Sequence, residues 1–218
     1  MFFSLLFSQP ILAFAWVVAV FSAITIHEFS HAAMANFRGD YTAEAAGRLT
    51  LNPLSHLDPI GFVAFLLIGY GWAKPVPYNP YKLKNPRWDG IFVALAGPGS
   101  NLLLAIVASL FIRLFIGAEI LDSNNLLLTF LFLVMYLNLA LMFFNLIPLP
   151  PLDGSKIWHS IFDSVKNPRL AYLIESRGQM ILFGLILLSF AGVNIFSFLD
   201  FFVRTVVNLL LGGNSFHF

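Results

Sequence analysis

Cysteine is absent from this 218-residue chain, which excludes disulfides and thiolate metal sites and leaves any bound metal to His, Asp or Glu. Charge is scarce as well. Asp, Glu, Lys and Arg make up 11% of the residues against 59% apolar ones, too little polar surface to coat a water-soluble globule. The chain therefore reads as an integral membrane protein. A net charge of +1 argues against nucleic acid as a partner. Long soluble stretches are missing too, so a single domain, 1–218, is expected. The apolar beginning MFFSLLFSQP has no basic residues of the kind that open a signal peptide and is read as retained.

Apolar runs of spanning length lie at 10–37, 90–116, 126–147 and 178–199, each long enough to cross a hydrocarbon core of ~30 Å. A shorter run, GFVAFLLIGYGW at 61–72, is interrupted by glycines and leads into the prolines of AKPVPYNP, so it reads as re-entrant. If it returns to the side it left, every Lys and Arg except Arg113 and Arg204 shares one face, which the positive-inside rule makes cytoplasmic. Alternation in Arg48-Leu49-Thr50-Leu51 predicts a short membrane-associated strand ending at Asn52-Pro53. Segment 195–211, with Asp200 and Arg204 one turn apart among large aromatics, predicts an interfacial helix. The expected fold is an all-α polytopic membrane protein: about four full transmembrane helices, a re-entrant segment, a short β element and a C-terminal interfacial helix.

Within the first span stands HEFSH, residues 27–31. On a helix, His27 and His31 project from one face and can ligate one ion, while Glu28 lies about 100° round from His27, beside the ion and not among its ligands. This is the spacing of metal-assisted hydrolysis: zinc on neutral imidazoles brings the pKa of water to about 7, and a carboxylate takes the proton. A carboxylate in a spanning helix costs about 2.5–3.5 kcal/mol on insertion scales, which argues against chance placement. Two histidines leave zinc one protein ligand short, and Glu44, His56, Asp58, Asp153 and His159 are the candidates. Asp153 is favoured because it stands in NLIPLPPLDG, where the third span gives way to extended, proline-rich backbone; from spacing alone, an ordinary Asp-Gly turn serves as well.

HEFSH, GRLTLNPLSHLDPIG at 47–61, WAKPVPYNP at 72–80, AGPGSN at 96–101 and NLIPLPPLDG at 145–154 occur in this order. Together they resemble the site-2 protease family of intramembrane zinc metalloproteases, in its short bacterial form without a PDZ domain. The resemblance implies that His27, His31 and Asp153 hold one Zn2+ per chain and that Glu28 activates water. It also implies that Asn101 faces the site and helps hold the substrate or its developing oxyanion, whereas the residues alone allow a helix-packing amide. One departure is that only 26 residues precede His27, where archaeal relatives carry a further helix. His56 and Asp58 are expected to fix the turn into the re-entrant run by hydrogen bonds.

The expected activity is hydrolysis of a peptide bond within or near the transmembrane helix of a membrane protein substrate, in the inner (plasma) membrane, with the site nearer the cytoplasmic side. The partners are that substrate and the lipid bilayer. The segments 48–51 and 74–80 are candidate edges for an unwound substrate. A divalent metal transporter and a catalytically inactive membrane scaffold are the rival readings. The first needs polar ligands on several helices across the bilayer, and the second does not need Glu28.

Overall fold

The structure is a computed structural model describing residues 6–68, 71–122, 125–161 and 168–213, with backbone alone at 68, 159–161 and 168–175. Lys166, Arg169, His159 and His217 therefore fall outside the residues whose side chains are described. The helices are α1 (Pro10–Phe37), α2 (Thr42–Ala45), α3 (Pro59–Ile68), α4 (Pro86–Gly117), α5 (Leu126–Asn145), α6 (Asp153–Ile161), α7 (Pro168–Phe190) and α8 (Ser197–Leu211). Three of them, α1, α4 and α5, are long and apolar enough to cross a membrane.

Helix ends follow local chemistry. Pro10 and Pro86 stand in the first turns of α1 and α4, where a missing N–H removes nothing the helix uses. Asn85 accepts the Trp88 N–H while its own N–H goes to Asp89, and Asn125 accepts from Leu127 at the start of α5. Arg38, just past α1, pairs with Asp89 at 3.2 Å and lies over the Phe92 ring, so the end of α1 is clamped to the beginning of α4.

The run expected to be re-entrant folds as the ten-residue α3 followed by a return. Trp16 stacks on Phe65 at 4.6 Å and Phe21 packs on Phe62, which lays α3 against the first half of α1. The chain then comes back beside its starting point: Leu57 bridges Ala73, and Lys74 donates to the His56 carbonyl. Gly61 and Gly71 permit this close pass, since a Cβ on Gly61 would stand 2.2 Å from the Trp72 carbonyl oxygen.

Three expectations need correction. Residues 48–51 form no strand, and among the described residues there is none. Arg48 is buried and donates to the Lys74 carbonyl while Leu51 is exposed, the reverse of the alternation a half-buried strand requires. The fourth span, expected at 178–199, lies on α7, which begins earlier, at Pro168, and stops at Phe190, with Gly192 just beyond in a left-handed φ of 93°. The C-terminal helix does not lie across the ends of the others. Val203, Val207 and Leu211, spaced four apart, share one apolar core with Ala105, Ala108 and Ile112 of α4 and Leu128, Met135 and Leu139 of α5. The start of α8 meets the end of α5 through Phe196 on Phe144 and Phe202 on Phe143, and a Cβ on Gly212 beyond its end would stand 4.0 Å from the Arg113 guanidinium of α4, so α8 runs lengthwise in the bundle.

Between α3 and α4 an extended strap, residues 73–79, is tied down by its backbone. Asp40 holds its far end, accepting from Asn79 N–H and from both the N–H and hydroxyl of Thr42. Burial pushes the Asp40 carboxyl up, but those hydrogen bonds and the charge of Lys82 outweigh it and hold it below the ordinary carboxylate range. The stabilisation is therefore fully present above the unfolded pKa of ~3.9 and is lost as pH falls through the lower folded value. The protection of the Asn79 amide, its exchange rate relative to the unfolded chain at the same pH, should be high at pH 5 and fall as acidification below ~4 carries the carboxyl through its lower folded value. Asp40→Asn, which sets an amide N–H against donors, should open this end of the strap at every pH and cost about 1–3 kcal/mol in detergent unfolding.

Candidate metal centre

The buried face of α1 is a stripe of small residues at four-residue intervals, Ala19, Ala23, Ala35, interrupted by His27 and His31 in the same register. Opposite it, α4 presents Gly90, Ala94, Gly97 and Pro98, all buried. Small residues on both helices let the backbones approach, and the two imidazoles occupy the space left between them. Each ring is then held from behind. His27 Nδ1 lies 2.6 Å from Asn101 Oδ1, and His31 Nδ1 lies 2.7 Å from the Val93 carbonyl oxygen. Neither oxygen carries a proton, so each Nδ1 donates, and each neutral ring turns a bare Nε2 inward.

Those two Nε2 atoms are 3.0 Å apart, and Asp153 Oδ2 sits 3.2 Å from the first and 3.0 Å from the second. Three lone pairs converge on one point. Protonating both rings would set two N–H groups against each other at that distance, whereas one cation in the middle satisfies all three atoms. Two imidazoles and a carboxylate without thiolate suit zinc, with a fourth position left for water. His27, His31 and Asp153 form the metal-capable cluster among the described residues.

Asp153 reaches this point because the chain doubles back after α5. Gly154 lies so close to the Leu146 and Ile147 carbonyls that a Cβ would stand 2.3 Å and 2.5 Å from their oxygens, and Asp153 opens α6 from that turn. Its other oxygen, Oδ1, accepts from Lys156 Nζ at 3.0 Å, and the Lys156 ammonium in turn lies 5.5 Å from the Tyr78 ring of the strap. One carboxylate oxygen is thereby left to the imidazoles.

Glu28 faces the same cavity, and its Oε2 accepts the Val76 N–H of the strap at 3.2 Å. The cavity measures about 750 Å³. Beyond the polar cluster its walls are mostly apolar, with Val20 and Ile24 of α1, Phe62 and Phe65 of α3, Leu141 and Phe144 of α5 and Leu199 of α8.

Asn101, expected to face the site, lies against His27. It is fully buried, its oxygen accepts from His27, and its two N–H groups go to Ala23 O at 3.2 Å and Asn138 Oδ1 at 2.8 Å. Of the other candidate ligands, Glu44 is exposed and accepts from Asn36, Asp58 caps α3 through the Ile60 and Gly61 N–H groups, and His56 donates from Nε2 to the Thr50 carbonyl. The last two hold the turn into α3, as expected. Sequence reading missed Gly97, Val76 and Lys156. Only Lys156 carried a signal, lying one helical turn from Asp153.

The sequence model of peptidase family M50 matches residues 118–189. Three similar proteins carry the name "Putative zinc metalloprotease". YwhC of Bacillus subtilis is 45% identical over 144 residues, covering 65% of this chain and 66% of that one. MJ0611 of Methanocaldococcus jannaschii is 31% identical over 162 residues, covering 72% and 78%. Rip2 of Mycolicibacterium smegmatis is 31% identical over 137 residues, covering 61% and 51%, so the matched region spans about half of that relative's length. No solved structure matches.

Gly97 offers a sharp test of the geometry. A Cβ there would lie 2.4 Å from His31 Nε2 and 2.7 Å from His27 Nε2, on the spot a shared cation needs. Gly97→Ala should raise intrinsic helix propensity by ~1 kcal/mol and still abolish stoichiometric zinc uptake. Circular dichroism and metal analysis of the purified protein would read the two effects separately.

Proposed function

The chain belongs to peptidase family M50, and from that premise we propose that it is an intramembrane zinc metalloprotease, cleaving a peptide bond within or near a transmembrane helix of a membrane protein substrate. The observation that carries the reading is the convergence of His27 Nε2, His31 Nε2 and Asp153 Oδ2 within 3.2 Å of one another, beside Glu28 on the wall of a mostly apolar cavity. In this reading the three residues hold one zinc ion per chain. Bound there, zinc would supply Lewis acidity, bringing the pKa of water to about 7 and polarising the scissile carbonyl.

The chain's own groups do the rest. Glu28 is the general base: the Val76 N–H holds Oε2, and Oε1 is left to take a proton from the attacking water and to pass it to the leaving amine. Lys156 keeps Asp153 turned toward the histidines by occupying its second oxygen. The apolar walls favour a hydrocarbon-rich segment and keep bulk water away from it, while a helix must be unwound before its carbonyls are accessible. On the positive-inside argument the site lies toward the cytoplasmic face of the plasma membrane, where water is nearest.

Glu28→Gln should keep its zinc and lose cleavage of a model transmembrane substrate by about 10²–10⁴-fold, the usual worth of a general base. His31→Ala and Asp153→Ala should lose both the metal and the activity. Cleavage at the wild-type rate by purified Glu28→Gln would sink the mechanism.

A further inference from the structure

We propose that Asn138 of α5 is a positioning residue for the metal centre, setting the tautomer of His27 through Asn101. The inference rests on reading His27 as a ligand, but its geometry stands apart from that reading. Four groups form a directed chain. Asn138 Nδ2 donates to the Val134 carbonyl at 2.7 Å, Asn101 Nδ2 donates to Asn138 Oδ1 at 2.8 Å, and Asn101 Oδ1 accepts from His27 Nδ1 at 2.6 Å.

The direction of this chain is forced from its far end. A side-chain amide can turn over, exchanging its oxygen and nitrogen with little change of shape, so nothing in Asn101 itself decides which end meets His27. The Val134 carbonyl can only accept, which turns the Asn138 nitrogen toward it and the Asn138 oxygen toward Asn101. That oxygen, with Ala23 O at 3.2 Å, takes both Asn101 N–H groups and leaves only Asn101 Oδ1 for the imidazole. Neither asparagine is exposed at all, so water cannot stand in for a missing partner. His27 is obliged to carry a proton on Nδ1, and the neutral ring then presents Nε2 bare.

Without Asn138 the longer bond to Ala23 O alone opposes the turned-over amide. The turned amide offers N–H to His27 Nδ1, moves the ring proton to Nε2 and closes the atom that must bind metal. A purely structural amide between α4 and α5 would have no such effect on the ring.

The test uses the full chain in lipid nanodiscs, labelled with ¹⁵N-histidine and free of metal, together with zinc affinity from competition with a chromophoric chelator. Wild-type His27 should show the Nδ1–H tautomer. Asn138→Leu should populate the Nε2–H form and weaken zinc binding about 10–100-fold, the usual effect of losing a partner that orients a metal ligand. Asn138→Asp, which keeps an acceptor toward Asn101, should recover both readouts, and Ser109→Ala, a buried change on α4 outside the chain, should leave both as in wild type. Three results would overturn the proposal: an Nε2–H tautomer in wild type, unaltered tautomer and affinity in Asn138→Leu, or Asn138→Asp as weak as Asn138→Leu. Should Asn138→Leu not fold, the wild-type tautomer and the Asn138→Asp affinity decide the matter. A wild-type protein with the Nδ1–H tautomer but no zinc uptake would support the relay and overturn the function proposed above.

Discussion

Two hydrogen bonds on the outer edges of two imidazole rings, to Asn101 Oδ1 and to the Val93 carbonyl, are what the site depends on. They place the ring protons outward and the lone pairs inward, and both acceptors belong to α4. Helix α4 can supply them only because it lies against the alanine stripe of α1. The clamp between Arg38 and Asp89 keeps the two helices in register where they meet the loops. Had either ring lost its acceptor, its proton could sit on the inner nitrogen, and the third donor would face an N–H in place of a lone pair.

The polar groups around this point form a single connected arrangement. Asn138 and Asn101 act from α5 and α4, Lys156 from α6, and the strap supplies Val76 to Glu28. Each acts on a different atom of the cluster, and none competes with another for the same lone pair. The strap is itself anchored at Lys74 by His56 and Arg48 and at Asn79 by Asp40. Residues 38–58, which in sequence look like a connector, are thus the frame that aims the carboxylate of Glu28.

Much of this was legible in the sequence. HEFSH declares itself because helical periodicity puts both imidazoles on one face, and the span from Pro10 to Phe37 follows from its apolar length. Asp153 was favoured among five candidate ligands for its proline-rich setting, but only the order of motifs singled it out, since only tertiary folding shows which loop turns back. Gly97 was unreadable for a similar reason. A glycine among AGPGSN speaks of close packing but not of what is packed. The strand at 48–51 failed because alternation says nothing of whether a neighbouring edge exists, and there Arg48 found a carbonyl instead. The last helix misled through Asp200 and Arg204, whose spacing suggested a surface, while the valine and leucine stripe on the opposite face filled the groove beside α4 and α5.

The third donor comes from a segment 122 residues beyond His31. During synthesis, a chain whose first spans are already inserted holds two imidazoles with their lone pairs aligned and nothing to complete them. The carboxylate arrives only after α4 and α5 have been laid down, and before α7 and α8. The full donor set thus precedes, in the growing chain, the helix whose Val203, Val207 and Leu211 finish the shared core, so ligand supply and packing are separate events in synthesis.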